Sequence, residues 1–404
     1  MRNVQPPAAA LAGLLSSART EPAAMSARLV APVAAGTIFF GGGLPDPTMY
    51  PNAAMAGLLD ELLAAPDPRS MGYSHGPGDA DLRDAVAQRF SAREGVDISA
   101  DQMVITNGSS GALSLIAVAL IEPGDVVLCE SLTYPGALAT FRQMGARVVP
   151  VPVDGEGLCT DQLASTLAQL GREHARVKMI YTIATCQSPT GTVLSSARRR
   201  ELVEIADRFD ILIVHDTTYA DIRFDEDFPS ELITLAPHRT MHVASFSKTL
   251  APGLRLGWAA GPSTIVDVLK QIRTDLGTSP LLQRMVARLV ASGDFDRHLD
   301  QVNAHYRRKR DVLLEALTAS CRTQGAWSVP RGGFFVWMLL DGADVGAVEA
   351  AAAAHGVGFF GTPYFSAGSA NAQGIRLPYG ELDAEVLVEG VRRLSDAISD
   401  AIDQ

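Results

Sequence analysis

Cysteine is scarce in this chain. Only Cys129, Cys159, Cys186 and Cys321 occur in 404 residues, far apart and without a CxxC pair, so neither a disulfide framework nor a zinc site is indicated and no metal is expected. A reducing cytoplasm is the expected compartment. Basic residues are outnumbered, with 34 Lys and Arg against 45 Asp and Glu and a formal net charge of -11. Since no basic block stands anywhere along the chain, nucleic acid and anionic membrane are argued against as partners, and any anion site has to be local. No uninterrupted apolar run is long enough to span a bilayer. Internal repeats and low-complexity tracts are also missing beyond an Ala-rich start. That start, "MRNVQPPAAALAGLLSSA", has one early Arg and a short apolar run but no strongly basic beginning, and is expected to be an arm rather than a secretory leader.

What the chain does have is apolar bulk: 47% hydrophobic residues over 404 positions suffice for a large core, in two domains or one with a satellite. Between about residues 100 and 260 short β-rich runs alternate with helical patterns. The runs are "VVLCE" 126–130, "ARVVPVPV" 146–153, "KMIYTIAT" 178–185, "DILIVHD" 210–216, "TMHVASFS" 240–247 and "LRLGWAAG" 254–261. Near-continuous apolar strands imply that both sheet faces are covered, which predicts an α/β fold with a mostly parallel sheet between two helical layers. Ligands then bind at the carboxyl ends of the strands. Helices are predicted over 111–121, 195–209 and 297–319. Beyond them "WSVPRGGFFVWMLL" (327–340), "VGFFGTPYF" (357–365) and "GIRLPYG" (374–380) read as strands of a smaller α+β domain, closed by a helix over 382–401. The expected division is an N-terminal arm over 1–45, a large domain over 46–295 and a small domain over 296–404.

The chemistry is concentrated in "VASFSKTLAPGLRLGW", residues 243–258. A lysine directly after a β-run and followed by "APG" cannot sit in a helix interior, so Lys248 is expected on a loop at a strand's carboxyl end, its amine in a cleft. There an amine can form a Schiff base with an aldehyde, while Ser245, Ser247 and Arg255 offer hydroxyl and forked donors to a phosphate. Together these describe a pyridoxal 5'-phosphate site, whereas an isolated Ser-Lys pair would be an ordinary surface turn. Such a site needs an acid that keeps the pyridine nitrogen protonated. Asp216, at the end of the buried run "DILIVHD", is the candidate, and a carboxylate buried there calls for a cationic partner. Without the lysine motif it would be read as a helix cap. Tyr219, three residues on, can donate to the cofactor's phenolic oxygen. "TNGSSGALSL" (106–115) supplies Gly108, Ser109 and Ser110 at a helix start, where N–H groups suit a phosphate, although helix caps look the same. Tyr134 in "ESLTYPGA" is placed to stack on the ring, and alone would be packing. Cys186 reads as a small buried hydrophobe.

With these residues in place, the chain resembles the fold-type I, class I/II pyridoxal phosphate-dependent aminotransferases from about residue 40 to its end. The seven-residue spacing from Lys248 to Arg255 around a Pro-Gly, with "GGGLPDPTMYP" (41–51) and "YSHGPGDADLR" (73–83), is similar to the aminoadipate and kynurenine aminotransferase branch, which is shared with the effector domains of MocR-type regulators. The resemblance implies a fold-type I fold with Lys248 as Schiff-base lysine, Asp216 as pyridinium partner, Tyr219 as phenolate donor and Tyr134 as stacking ring. It implies Gly108, Ser109, Ser110, Ser245, Ser247 and Arg255 around the phosphate, Tyr73 reaching the phosphate of a neighbouring subunit in a homodimer, and Arg376, Gly43 and Ser188 on the substrate. Arg376 in "GIRLPYG" is the expected clamp for the α-carboxylate, a bidentate task suited to guanidinium; without the resemblance it is an ordinary strand arginine. Arg28 is a further candidate substrate contact.

Two positions depart from the family pattern. Ser110 stands where the branch usually has glutamine, and Ser188 in "QSPTG" stands where the family has asparagine beside the phenolic oxygen. The leading expectation is a homodimeric aminotransferase that uses an L-amino acid and a 2-oxo acid. Ser188 keeps open a rival of the same fold that diverts the carbanion into elimination, replacement or oxidation. A MocR-type sensor would need a basic winged-helix domain, and the roughly 40 residues before "GGGLPDP" are too few and too apolar for one.

Overall fold

A computed structural model describes residues 34–65, 67–74, 76–368 and 373–403. Arg28 and residues 1–33 of the expected arm lie outside the described residues. In chain order the strands are β1 (Ile38–Phe40), β2 (Met103–Asn107), β3 (Val126–Glu130), β4 (Arg147–Val151), β5 (Val153–Asp154), β6 (Gly157–Leu158) and β7 (Val177–Thr182). They continue as β8 (Leu212–Asp216), β9 (Thr240–Ser245), β10 (Leu256–Ala260), β11 (Gly325–Trp327), β12 (Phe335–Leu340), β13 (Val357–Gly361) and β14 (Gly374–Pro378).

Seven of them form one sheet in the order β2-β10-β9-β8-β7-β3-β4. Alternation inside single strands explains its position between two layers, because successive side chains point to opposite faces. In β3, Val127 and Cys129 join a core with Leu113, Ile116 and Leu138, while Val126 and Leu128 join a second core with Leu163, Leu167 and Leu202. The first core is closed by the helices Gly108–Leu120 and Pro135–Gln143, the second by Thr160–Arg172 and Ser196–Arg208. Within this sheet the strand pairs are parallel except those of β10, which runs antiparallel to both β2 and β9. That reversal matters for the site: the start of β10 lies beside the ends of its neighbours, with Leu256 paired to Asn107 and Gly257 to Ser245. Gly257 permits the approach, since a Cβ there would lie 2.6 Å from the Gly108 carbonyl carbon and 2.7 Å from the Ala244 oxygen.

The second sheet has the order β1-β13-β14-β12-β11. It packs with the helices Asp294–Ser320 and Ala384–Ile402, which bury Val302, Leu313, Leu317, Leu387 and Leu394 together with Phe40 and Val336. Two boundaries differ from the sequence expectation. Strand β1, from the stretch read as an arm, pairs in parallel with β13 of this second sheet. The long helix begins at Asp294, so it runs across the expected boundary at 295/296. The helix predicted from 111 already starts at Gly108, whose φ of 69° lets the chain turn directly out of β2. Among the described residues, no helix is long and apolar enough to cross a membrane.

Candidate active site

A cavity of about 260 Å³ opens where the carboxyl ends of β2, β3, β7, β8 and β9 meet the second sheet. Ten of the sequence-derived residues line it: Ser109, Ser110, Tyr134, Ser188, Asp216, Tyr219, Ser247, Lys248, Arg255 and Arg376. Gly108, Ser245 and Gly43 sit one position from lining residues or bonded to them. Tyr73 is not in the wall and is 76% exposed.

Lys248 follows β9 by three residues, and its Nζ donates to the Gly43 carbonyl at 3.1 Å. Burial, then the positive charges of Arg376 and Arg255, push its amine down to about 8, against the pull of Asp216. Asp216 closes β8. Its Oδ2 accepts from Tyr181 Oη at 3.0 Å, and its Oδ1 accepts from the Thr218 N–H at 3.0 Å and Thr218 Oγ1 at 2.7 Å. The cationic partner expected from the sequence is not among these donors, which are all neutral. Burial therefore holds the carboxyl above its ordinary value, with the three hydrogen bonds opposing. Tyr219 stands edge-on to Phe334 and Phe335, with ring centroids 5.5 and 5.0 Å away, and burial raises its phenol. Burial also raises Tyr134, whose hydroxyl is bonded to Ser110.

The anion-binding corner is built from three chain segments. Ser245 Oγ donates to Ser247 Oγ at 2.9 Å and accepts the Ser247 N–H at 3.1 Å. Arg255, in the left-handed region at φ 51°, reaches back to the Asn107 carbonyl at 3.3 Å. A Cβ on Gly108 would lie 2.9 Å from Arg255 Nη2, so glycine at this helix start leaves room for the guanidinium. A forked cation, two hydroxyls and helix N–H groups together are donors that could hold a phosphate.

Across the cavity Arg376, on β14, is 5% exposed. Its guanidinium lies 4.4 Å from the Phe335 ring centroid and 4.6 Å from that of Phe365, two cation–π contacts that restrain it. Nη2 donates to the Gly41 carbonyl at 2.6 Å, while Nε is buried without a partner. Burial lowers this arginine to about 10. A buried, incompletely paired fork facing a cavity fits a carboxylate ligand. Gly42, Leu44, Pro135, Ile183, Thr218, Pro252 and Tyr364 complete the wall; Gly42, Leu44, Pro135 and Pro252 lie within the motifs quoted above, but residue type alone gives none of the seven a chemical role. Cys186 is buried, 1% exposed, and burial pushes its thiol up to about 12, as suits a packing role. Among the described residues no cluster of His, Cys, Asp and Glu is arranged to hold a metal ion.

The residues present fit pyridoxal phosphate by their donor chemistry: a lysine amine drawn toward neutrality, a buried acid supplied only with neutral donors, and a cradle for a phosphate dianion. The family model of class I and II aminotransferases matches residues 47–394. The chain is 33% identical over 369 residues to aromatic-amino-acid aminotransferase 1 of Thermococcus litoralis, covering 90% of this chain and 88% of that protein. It is 31% identical over 304 residues to the HTH-type transcriptional regulator YisV of Bacillus subtilis, covering 74% of this chain but 61% of the regulator. The crystal structure of Pyrococcus horikoshii kynurenine aminotransferase, solved in complex with PMP, superposes with a TM-score of 0.87 at 30% identity, over 98% of this chain and 96% of that one. The chain belongs to the class I and II aminotransferases, fold-type I enzymes that depend on pyridoxal phosphate and act on amino acids.

Proposed function

We propose that the cavity between the two sheets is the active site, that Lys248 is its catalytic base and acid, and that an L-amino acid and a 2-oxo acid are bound in turn by Arg376. One observation carries this reading: the amine of Lys248, the carboxylate of Asp216 and the guanidinium of Arg376 converge on a single cavity. Bound pyridoxal phosphate supplies the electron sink for the bond broken at the substrate Cα. Asp216 would accept the ring N–H and, by its negative charge in a buried site, keep that proton in place. Tyr181 and Thr218 aim the carboxylate. Tyr219 would donate to the phenolic oxygen, and Tyr134 would cover a ring face. Ser109, Ser110, Ser245, Ser247, Arg255 and the N–H groups at Gly108 bind the phosphate.

Arg376 takes the α-carboxylate in a forked hydrogen bond, which orients the Cα–H bond toward Lys248. An amine lowered to about 8 is neutral in about one molecule in five at pH ~7.4, against fewer than about one in a thousand for an ordinary lysine. Lys248 can therefore remove the Cα proton as a base and hold it for return.

The working unit is proposed to be a homodimer in the cytoplasm. Support for the dimer comes from the apolar surface around Tyr73: Leu63 is 53% exposed, Met71 74% and Leu276 55%, with Gly277 packed on Ser74. Four buried, unpaired cysteines suit the compartment.

Ser188, 3% exposed in the cavity wall where the resemblance implies asparagine, favours a second reading in which part of the flux is diverted. Incubation of the loaded enzyme with an amino acid alone separates the two. Stoichiometric pyridoxamine phosphate and 2-oxo acid support transamination; ammonia, sulfide or peroxide as the main product overturns it.

A further inference from the structure

The span Gly41–Leu44 crosses the cavity with almost no side chain of its own to hold it. Gly41, Gly42 and Gly43 are consecutive, and glycine gives up more conformational freedom on ordering than any other residue. Yet this span provides the partners of both functional cations: Gly41 O accepts from Arg376 and Gly43 O accepts from Lys248. Its position therefore depends on its ends. One end is β1, paired in the second sheet. The other is Asp46, 3% exposed and surrounded by donors.

Asp46 Oδ2 accepts from Lys309 Nζ at 2.8 Å and His305 Nε2 at 2.9 Å, and Oδ1 accepts from the Thr48 N–H at 2.9 Å and Thr48 Oγ1 at 2.7 Å. The Asp46 N–H donates to Tyr306 Oη at 2.8 Å. Lys309, His305 and Tyr306 all project from the helix Asp294–Ser320. Lys309 also donates to the Gly380 carbonyl at 2.7 Å, and a Cβ on Gly380 would lie 2.3 Å from the Leu44 oxygen. One buried ammonium thus ties the end of the span to the helix and to the turn after β14, the strand that carries Arg376.

We propose that Asp46 is a positioning residue for amino-acid recognition: anchored by Lys309 and His305, it holds the Gly41 carbonyl on Arg376 and so sets the orientation of the carboxylate clamp. The proposal rests on the reading of Arg376 as that clamp. With the anchor loosened, a chain of glycines no longer fixes the Gly41 carbonyl, and the Arg376 fork loses the contact that presents its remaining donors. Recognition of the α-carboxylate weakens, whereas the phosphate cradle, built from other segments, is untouched.

The test is steady-state kinetics of cofactor-loaded, full-length Asp46→Asn, with an L-amino acid and with the corresponding amine lacking the carboxylate. For the amino acid, KM is expected to rise about tenfold, equivalent to about 1.4 kcal/mol, with kcat changed less than about twofold. Activity on the amine and cofactor retention, read from absorbance, stay as in the wild type. His305→Ala removes one partner of Asp46 at a position where the histidine side chain is itself 23% exposed, so it carries the test if Asp46→Asn does not fold; its expected rise in KM is smaller, about threefold. An unchanged KM in a folded, loaded variant overturns the proposal, as does an equal loss on amine and amino acid. If Arg376→Ala affects both substrates equally, the clamp reading itself fails, and the anchor proposal falls with it.

Discussion

The amine of Lys248 should titrate far below an ordinary lysine before any cofactor is bound. Burial is the main cause, and Arg376 and Arg255 add positive potential against the opposing charge of Asp216, for a value of about 8 rather than 10.5. The difference of about 2.5 units means that at pH 8 half of these amines are neutral, against about one in 300 for a lysine at 10.5. The chain has only four lysines, Lys178, Lys248, Lys270 and Lys309, so each can be followed separately. Cofactor-free protein is treated with trace acetic anhydride from pH 6 to 11, and acetylation at each lysine is read by peptide mass spectrometry. Lys248 should show a midpoint near 8, with Lys270, whose Nζ pairs with the exposed Asp267, serving as internal comparison. Arg376→Met removes one of the positive charges, so the Lys248 midpoint should move upward; Asp216→Asn removes the opposing negative charge and should move it downward. A Lys248 midpoint near 10, or one indifferent to both substitutions, refutes the electrostatic argument.

Arg376→Ala should raise KM for α-amino acids by one to three powers of ten, since forked charge-assisted bonds are worth about 1.5–3 kcal/mol each, and should affect amines without a carboxylate much less. Equal effects in parallel assays would refute the assignment. Glu231→Gln tests the polar core behind the site. Glu231 is fully buried and pairs with Arg223 at 2.8 Å and Arg199 at 3.5 Å, and Thr185 Oγ1 donates to it. Removing its charge leaves Arg199 buried and uncompensated, for an expected loss of about 3–5 kcal/mol in urea unfolding. A loss below about 1 kcal/mol, the worth of an exposed pair, would contradict this. Ser188→Asn should shift the absorbance titration of bound cofactor to lower pH and raise the ratio of transamination to side products, because the amide adds a donor near the phenolic oxygen. An unchanged curve and ratio would make the serine a neutral replacement.

The readability of the site in the sequence follows from its construction. Most of its side chains sit at strand ends or on the turns just after them, where a buried apolar run stops and polar or glycine residues begin, so their neighbourhood is local in sequence. Lys248, Asp216, Tyr134 and Gly108 are of this type. Arg255 was readable only through its motif, because the antiparallel course of β10 that brings it beside Asn107 has no signature in an apolar run. Partners contributed across the sheet were hidden. The protein donors of Asp216 include Tyr181, on a strand whose register with β8 cannot be read from either sequence. Backbone partners were invisible for a simpler reason: the carbonyls of Gly41 and Gly43 are common to every residue, so their contacts with Arg376 and Lys248 leave no trace in residue type. Three-residue β1 is too short for a period-2 pattern, so nothing in its own sequence marks it as an edge of the second sheet. The Glu231 cluster was missed because Arg199, His215 and Arg223 come from separate segments that only the packed sheet unites.

The central claim is that Lys248 moves the Cα proton of an amino acid oriented by Arg376. Its most direct test is the exchange of that hydrogen for deuterium from solvent, followed by NMR with cofactor-loaded enzyme and an amino acid in the absence of any 2-oxo acid. Wild-type protein is predicted to exchange the hydrogen catalytically, and Lys248→Ala, retaining cofactor through the phosphate contacts, to lose the exchange by several powers of ten. Exchange at the wild-type rate in folded, loaded Lys248→Ala would contradict the account.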